Sequence, residues 1–266
     1  MVNRTTFKQY LLEAKMPSAK SIDDLFDSIV NGKFTKDGSK LKVTGFFQCN
    51  NTKTLISLEG APQEVNYFDC ENNLKLTSLK GGPQTTNDGG FYCEKNPKLT
   101  SLEGAPQTVG GEFYCKKNLG LISLEGAPQK VGFHFKCENN TKLTSLKGGP
   151  QFVYGWFYCN NNDGLTSLEG APQKVGGNFQ CRNNPKLTSL TRINFYIHEI
   201  GGDADFLGCP IESNILGLLK IRGLSRVFFD DKQLEEIVNR HLPMGDSTDC
   251  IDDLLDAGYS KEYCKW

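Results

Sequence analysis

Seven cysteines constrain this chain more than any other feature. Cys49, Cys70, Cys93, Cys115, Cys137, Cys159 and Cys181 follow one another at intervals of 21, 23, 22, 22, 22 and 22 residues. Each sits in the same phrase: Phe-x-Cys, an Asn three residues on in most copies, Leu-x-Ser-Leu, Gly-x-Pro-Gln and usually Val-Gly-Gly. Residues Phe179 to Leu190 show its first half intact. A unit this short cannot bury its own apolar edge, whereas stacked copies bury a continuous one. The repeat therefore predicts a solenoid of seven coils.

Phe and Cys, two residues apart on a strand, share one face, and their neighbours share the other. The expected coil turns Phe, Cys and the two Leu inward. Gly-x-Pro reverses the chain, and the paired Gly forms a bulge or tight bend before the strand. At about 4.8 Å per strand, seven coils make a slab roughly 34 Å long. Asn73, Asn96, Asn118, Asn140, Asn162 and Asn184 form a second column. A carboxamide carries both donor and acceptor, so an inward Asn can satisfy backbone groups where each strand ends. The first unit has Thr52 at that place.

The pattern Val-x-x-x-Phe-x-Cys-x-x-Asn-x-x-Leu, from Val43 to Cys209, resembles leucine-rich repeat proteins. The resemblance implies a leucine-rich-repeat-like solenoid, with a parallel β-sheet on one face. Leu-x-x-Leu-x-Gly-x-Pro leaves no room for a full helix, so turns are expected on the other face. The wording of residues 165–177 is similar to leucine-rich proteins of tailed bacteriophages. So, over a shorter stretch, are Leu218–Gly223 and Asp249–Tyr259. That implies a phage product acting in the cytoplasm of a bacterial host.

Solenoid ends expose an apolar cross-section that terminal segments must cover. Residues 1–42 are expected to form a helical N-terminal cap. Phe7, Tyr10 and Leu11, then Ile22, Leu25, Phe26 and Ile29, recur at helical spacing, with Asn31-Gly32 as the stop. Residues 43–209 hold the seven coils and a degenerate eighth, in which Ala204 and Phe206 take the Phe and Cys places. Residues 210–266 are expected to form a mostly helical C-terminal cap, from the periodic stretches Ile211–Leu219 and Lys232–Leu242, a β-like Ser225–Phe229, and a last helix near Asp249–Ala257. A separate small domain is the rival reading of this tail.

Charge and composition narrow the function. A net charge of -1 with 23% charged residues gives no bulk attraction for nucleic acid or an anionic membrane. No apolar run is long enough to span a bilayer, and the first residues lack a signal-peptide core, so a cytoplasmic location is expected. One inward Cys per coil makes a line rather than a tetrahedron, which disfavours a metal site; a reduced structural ladder is expected instead. Cys250 and Cys264 could pair, though not readily in a reducing compartment. His134, His198 and His241 lie in different regions, and Asp203 and Asp205 read as exposed, solvated carboxylates. No enzyme activity and no cofactor are expected.

The outward strand positions vary where the inward ones do not. They carry Tyr92, Tyr114, His134, Lys136, Glu138, Trp156, Tyr158 and Arg182. Exposed aromatics ringed by charge have the composition of a protein-binding surface; strand propensity for aromatics is the alternative explanation. The expectation is a non-enzymatic binding module whose partner is a bacterial host protein, inhibited by occlusion. The alternatives are a structural or assembly protein of the virion, and sequestration of a small signalling nucleotide by Lys116, Lys136 and Arg182.

Overall fold

Phe-x-Cys forms the same short strand in successive coils, Gly-x-Pro and the paired glycines, where present, bend the chain around it, and the coils stack. In the computed structural model, residues 32–37 and 40–266 are described, with side chains from Lys42 onward. The strands are β1 (Gly32–Asp37), β2 (Lys40–Gln48), β3 (Glu64–Asp69), β4 (Phe91–Tyr92), β5 (Thr108–Val109), β6 (Phe113–Tyr114), β7 (Lys130–Val131) and β8 (Phe135–Lys136). They continue as β9 (Phe152–Val153), β10 (Phe157–Tyr158), β11 (Lys174–Val175), β12 (Phe179–Gln180), β13 (Glu199–Ile200), β14 (Ala204–Asp205) and β15 (Val227–Phe228). Among the described residues the α-helices are α1 (Ile193–Tyr196), α2 (Lys232–His241) and α3 (Ser247–Asp256).

The Phe strands form one sheet, β1-β2-β3-β4-β6-β8-β10-β12-β14-β15, and the Val strands a second, β13-β11-β9-β7-β5. From β2 to β15 every pairing is parallel and one coil apart. The paired glycines form the corner between the two sheets. A Cβ on Gly110 would lie 1.5 Å from the Asn87 carbonyl oxygen of the coil before it, so this corner stacks too closely for a side chain there.

The interior is built from columns. Phe47, Phe68, Phe91, Phe113, Phe135, Phe157 and Phe179 are fully buried. Successive rings stack at 5.1 to 5.4 Å with interplanar angles of 15° or less. The Cys, Leu and Val columns lie beside them, equally buried. Removing one such ring costs about 3–5 kcal/mol.

The Asn column satisfies the backbone where each strand ends. Asn118 donates from Nδ2 to the carbonyls of Cys115 (2.9 Å) and Cys93 (3.0 Å), while its Oδ1 accepts the Asn96 N–H at 2.7 Å. Asn73, Asn96, Asn140 and Asn184 make the same set of bonds. The residue before each Asn is left-handed: Asn72, Lys95, Lys117, Asn139, Asn161 and Asn183 have φ between 55° and 59°. That turn swings the next side chain inward.

Both ends differ from the sequence expectation in instructive ways. Residues 32–37 and 40–42, assigned to a helical cap, contribute to an antiparallel hairpin, with Asp37 opposite Lys40 and Gly32 opposite Gly45. Gly38-Ser39, the two residues between the paired segments, are the hairpin signal in the sequence, and they outweigh the stop at Asn31-Gly32. The stretch from Phe7 to Ile29, expected to be helical, lies outside the described residues.

At the other end, Ala204 aligns with Phe179, so Phe206 takes the Cys place as expected. The β-like segment near Val227 is not separate from the solenoid: β15 pairs with β14 and adds a further rung. Ile211–Leu219 is not a periodic α-helix; a 3-10 turn at Leu216–Lys220 replaces it. Helices α2 and α3, capped by the Asp231 and Asp246 carboxylates, close the stack. Asn239 of α2 gives Val227 both an acceptor for its N–H (2.7 Å) and a donor for its carbonyl (2.9 Å), and Glu235 accepts the Phe229 N–H. These side chains cover the last open sheet edge.

Candidate binding surface

The outward face of the Phe sheet is set by strand alternation: each buried Phe is followed by a residue that points away from the core. Tyr92, Tyr114, Lys136 and Tyr158 follow one another in that column, paired strand to strand. Tyr92 and Tyr114 meet edge to face at 5.0 Å. Lys136 places its ammonium 4.6 Å from the Tyr114 ring and 4.9 Å from that of Tyr158, which makes it the link between two tyrosines. Phe46 and Tyr67 extend the stripe towards the first coil, each ring 4.6 Å from the next.

Beyond Lys136 the surface opens into a cleft of about 530 Å³, lined by Phe133, His134, Tyr154, Trp156, Tyr158 and the glycines 155, 176 and 177. Phe133, Tyr154 and Trp156 are 50%, 58% and 41% exposed, unusual for large apolar side chains so close together. Gly177 is the floor. A Cβ there would fall 2.0 Å from Cδ1 of Trp156, so its absence lets the indole lie against the following coil.

His134 is held by its neighbours. Its Nδ1 accepts the Trp156 backbone N–H at 2.9 Å, which assigns the ring proton to Nε2. Burial, and then the Lys136 charge, hold its pKa below the ordinary 6.5, with Glu112 pulling the other way. The ring stands 6.0 Å from both Trp156 and Tyr158.

The coils before Lys136 are acidic. The Tyr92 hydroxyl donates to Glu112 at 2.7 Å. Asp69 and Glu94 are almost fully buried, and burial pushes both carboxyls up. Lys95 and Lys116 reach Glu71 and Glu94 at 3.4 to 3.5 Å. Burial, and then Glu112, raise the Tyr114 hydroxyl to about 12.

Two of the named residues turn to the fold itself. Arg182 grips Asp205 with Nε at 2.7 Å and Nη2 at 2.5 Å, and Asp205 is 1% exposed. The expectation of a solvated Asp205 is therefore corrected: an arginine covers it. Asp203 pairs with Arg226 at 3.2 Å. Glu138 accepts from Asn160 at 3.0 Å, beside the stripe rather than in the cleft.

The cysteines of the column are free, buried thiols, and burial raises them far above the ordinary value, so they are poor nucleophiles and poor ligands. Cys250 and Cys264 are also unpaired. Among the described residues, no group of three His, Cys, Asp or Glu side chains converges as a metal site, and no helix is long and apolar enough to cross a membrane.

No protein-family model, curated protein or solved structure matches this chain. The surface must therefore be read from its own chemistry.

Phe133 and Tyr154 escape a reading based on strand columns, because they stand in the corner. The signal is in the sequence nonetheless. Val-Gly-Gly recurs at residues 109–111 and 175–177, but reads Val131-Gly132-Phe133 and Val153-Tyr154-Gly155 in the two coils that carry His134 and Trp156.

Proposed function

We propose that this chain is a non-enzymatic, protein-binding solenoid of the leucine-rich, bacteriophage type, and that it captures a bacterial host protein on its aromatic strand face and inhibits it by occlusion. One observation carries the reading: five aromatic side chains from two adjacent coils gather on the exposed face. Strand propensity explains Tyr158, but it does not explain Phe133 and Tyr154, which replace corner glycines outside any strand. Large aromatics in a partly desolvated cleft, surrounded by charge, are where binding energy concentrates. A phosphate ligand is less well served. Of the three cations considered for it, Lys116 and Arg182 have carboxylate partners and Lys136 rests on tyrosine rings.

The test is affinity capture from a bacterial lysate with the wild-type chain and with Trp156→Ala/Tyr158→Ala. The captured protein is then purified and titrated against both. The reading expects one partner whose affinity falls at least tenfold in the double variant. Equal binding by both chains, or recovery of the protein only in assembled virions, contradicts it.

A further inference from the structure

We infer that the partner binds through an extended segment running along the solenoid axis, with an aromatic or proline anchor in the cleft over Gly177 and a basic residue four to five positions away over the carboxylates of the preceding coils. This rests on the protein-binding reading above and specifies its partner.

Three observations on the surface combine. The cleft at Phe133, Tyr154 and Trp156 is apolar and floored by glycine, which suits a flat uncharged side chain. The acidic end holds four carboxylates, Asp69, Glu71, Glu94 and Glu112, against two ammonium groups, Lys95 and Lys116, an excess of two negative charges. Burial first, and then these carboxylates, raise the hydroxyls of Tyr67, Tyr92 and Tyr114, and the Tyr92 hydroxyl touches Glu112 directly at 2.7 Å, so the acidic groups stand against the rings that a partner would touch.

The spacing follows from the repeat. The centre of the carboxylate group lies about three coils before the cleft, roughly 15 Å at ~4.8 Å per strand, which an extended chain crosses in about four to five residues. Lys136 stands between the two ends, half-buried, with its ammonium over the rings of Tyr114 and Tyr158. It repels a continuous basic run and so confines the positive charge to one end of the segment. A cation in the cleft is disfavoured for the same reason, since Lys136 already lowers the neighbouring His134.

The experiment uses the Trp266→Phe chain, in which Trp156 is the only tryptophan, and follows its fluorescence. The probe is the capped peptide Gly-Arg-Arg-Ser-Gly-Ser-Phe-Gly, with its reversed sequence as a second orientation. Controls replace both Arg with Glu, Phe with Ala, or extend the linker to nine residues. Saturable binding of the first peptide or its reverse is expected. It should weaken at least tenfold with each control and in Glu71→Gln/Glu112→Gln, and should fall with added salt.

Equal binding of the Glu and Arg peptides overturns the charge assignment. No saturation by any peptide up to about 5 mM, an affinity barely above chance contact, overturns the inference. If a purified protein partner still depends on Trp156 in that case, the broader reading stands without it. A response to cellopentaose instead of peptide removes both.

Discussion

The backbone N–H of Trp156 donates to Nδ1 of His134 at 2.9 Å, one coil away, so the ring that shapes the cleft can keep this bond only while neutral. Burial and Lys136 favour the same neutral form. Below the folded pKa, a proton on Nδ1 meets the Trp156 N–H donor to donor. The unfolded chain takes up this proton first, near 6.5. Stability is therefore fully present above 6.5, falls as pH drops through that value, and levels off below the folded pKa. In the Trp266→Phe chain, Trp156 emission should shift with a midpoint below 6.5, and His134→Asn should abolish the shift. A midpoint at or above 6.5 contradicts the assigned environment.

Lys117 stands left-handed at φ 59°, where five of the coils place Asn. A long side chain pays for that backbone in strain, and Asn tolerates it. Lys117→Asn should raise stability by about 0.5–1 kcal/mol. Urea denaturation checks it through a higher midpoint at unchanged slope.

Asn118 holds three buried backbone groups at once. Asn118→Leu keeps the volume roughly but leaves the Asn96 N–H bare and takes one of two donors from each of the Cys93 and Cys115 carbonyls, which keep Asn96 and Asn140. At about 1–3 kcal/mol for the orphaned group and about 0.5–1.5 kcal/mol for each further lost bond, a loss of at least about 2 kcal/mol is expected. Calorimetric unfolding measures it, and a loss below about 1 kcal/mol would mean the column is decorative.

Asn239→Ala should uncover the edge at Val227 while leaving the coils intact. Hydrogen exchange is expected to quicken at Val227 and Phe229 and to stay slow at Phe135. Uniform acceleration across both sites would show that the C-terminal helices and the coils open together.

The coil was legible because its constraints act between identical neighbours. Phe179 sees another Phe one coil back, so one repeat predicts the next. The Asn column was readable for the same reason, from the donor and acceptor that a carboxamide carries. Its last rung was not: Cys209, three residues after Phe206, occupies the Asn place, and its thiol donates to the Cys181 carbonyl at 2.9 Å. Its interval of 28 residues from Cys181 sets it apart from the other cysteines, but the interval alone does not say that it stands in the Asn place. Asp205 looked solvated because the arginine that covers it is 23 residues away. The hairpin at β1 and β2 was written in Gly38-Ser39 but overshadowed by helical spacing further back. Phe133 and Tyr154 were hidden by attention to strands, although each breaks a glycine pair that other coils keep.

The account depends on inward columns that hold the fold and outward aromatics that do not. The most direct measurement compares thermal stability and partner affinity for Tyr114→Ser, Trp156→Ser and Tyr158→Ser with those of Phe135→Ala. The expected result is that the three outward substitutions leave the melting temperature within a few degrees of wild type and weaken the partner tenfold or more, whereas Phe135→Ala costs about 3–5 kcal/mol of stability. Outward substitutions that unfold the chain as Phe135→Ala does, or that leave the partner bound as before, would contradict it.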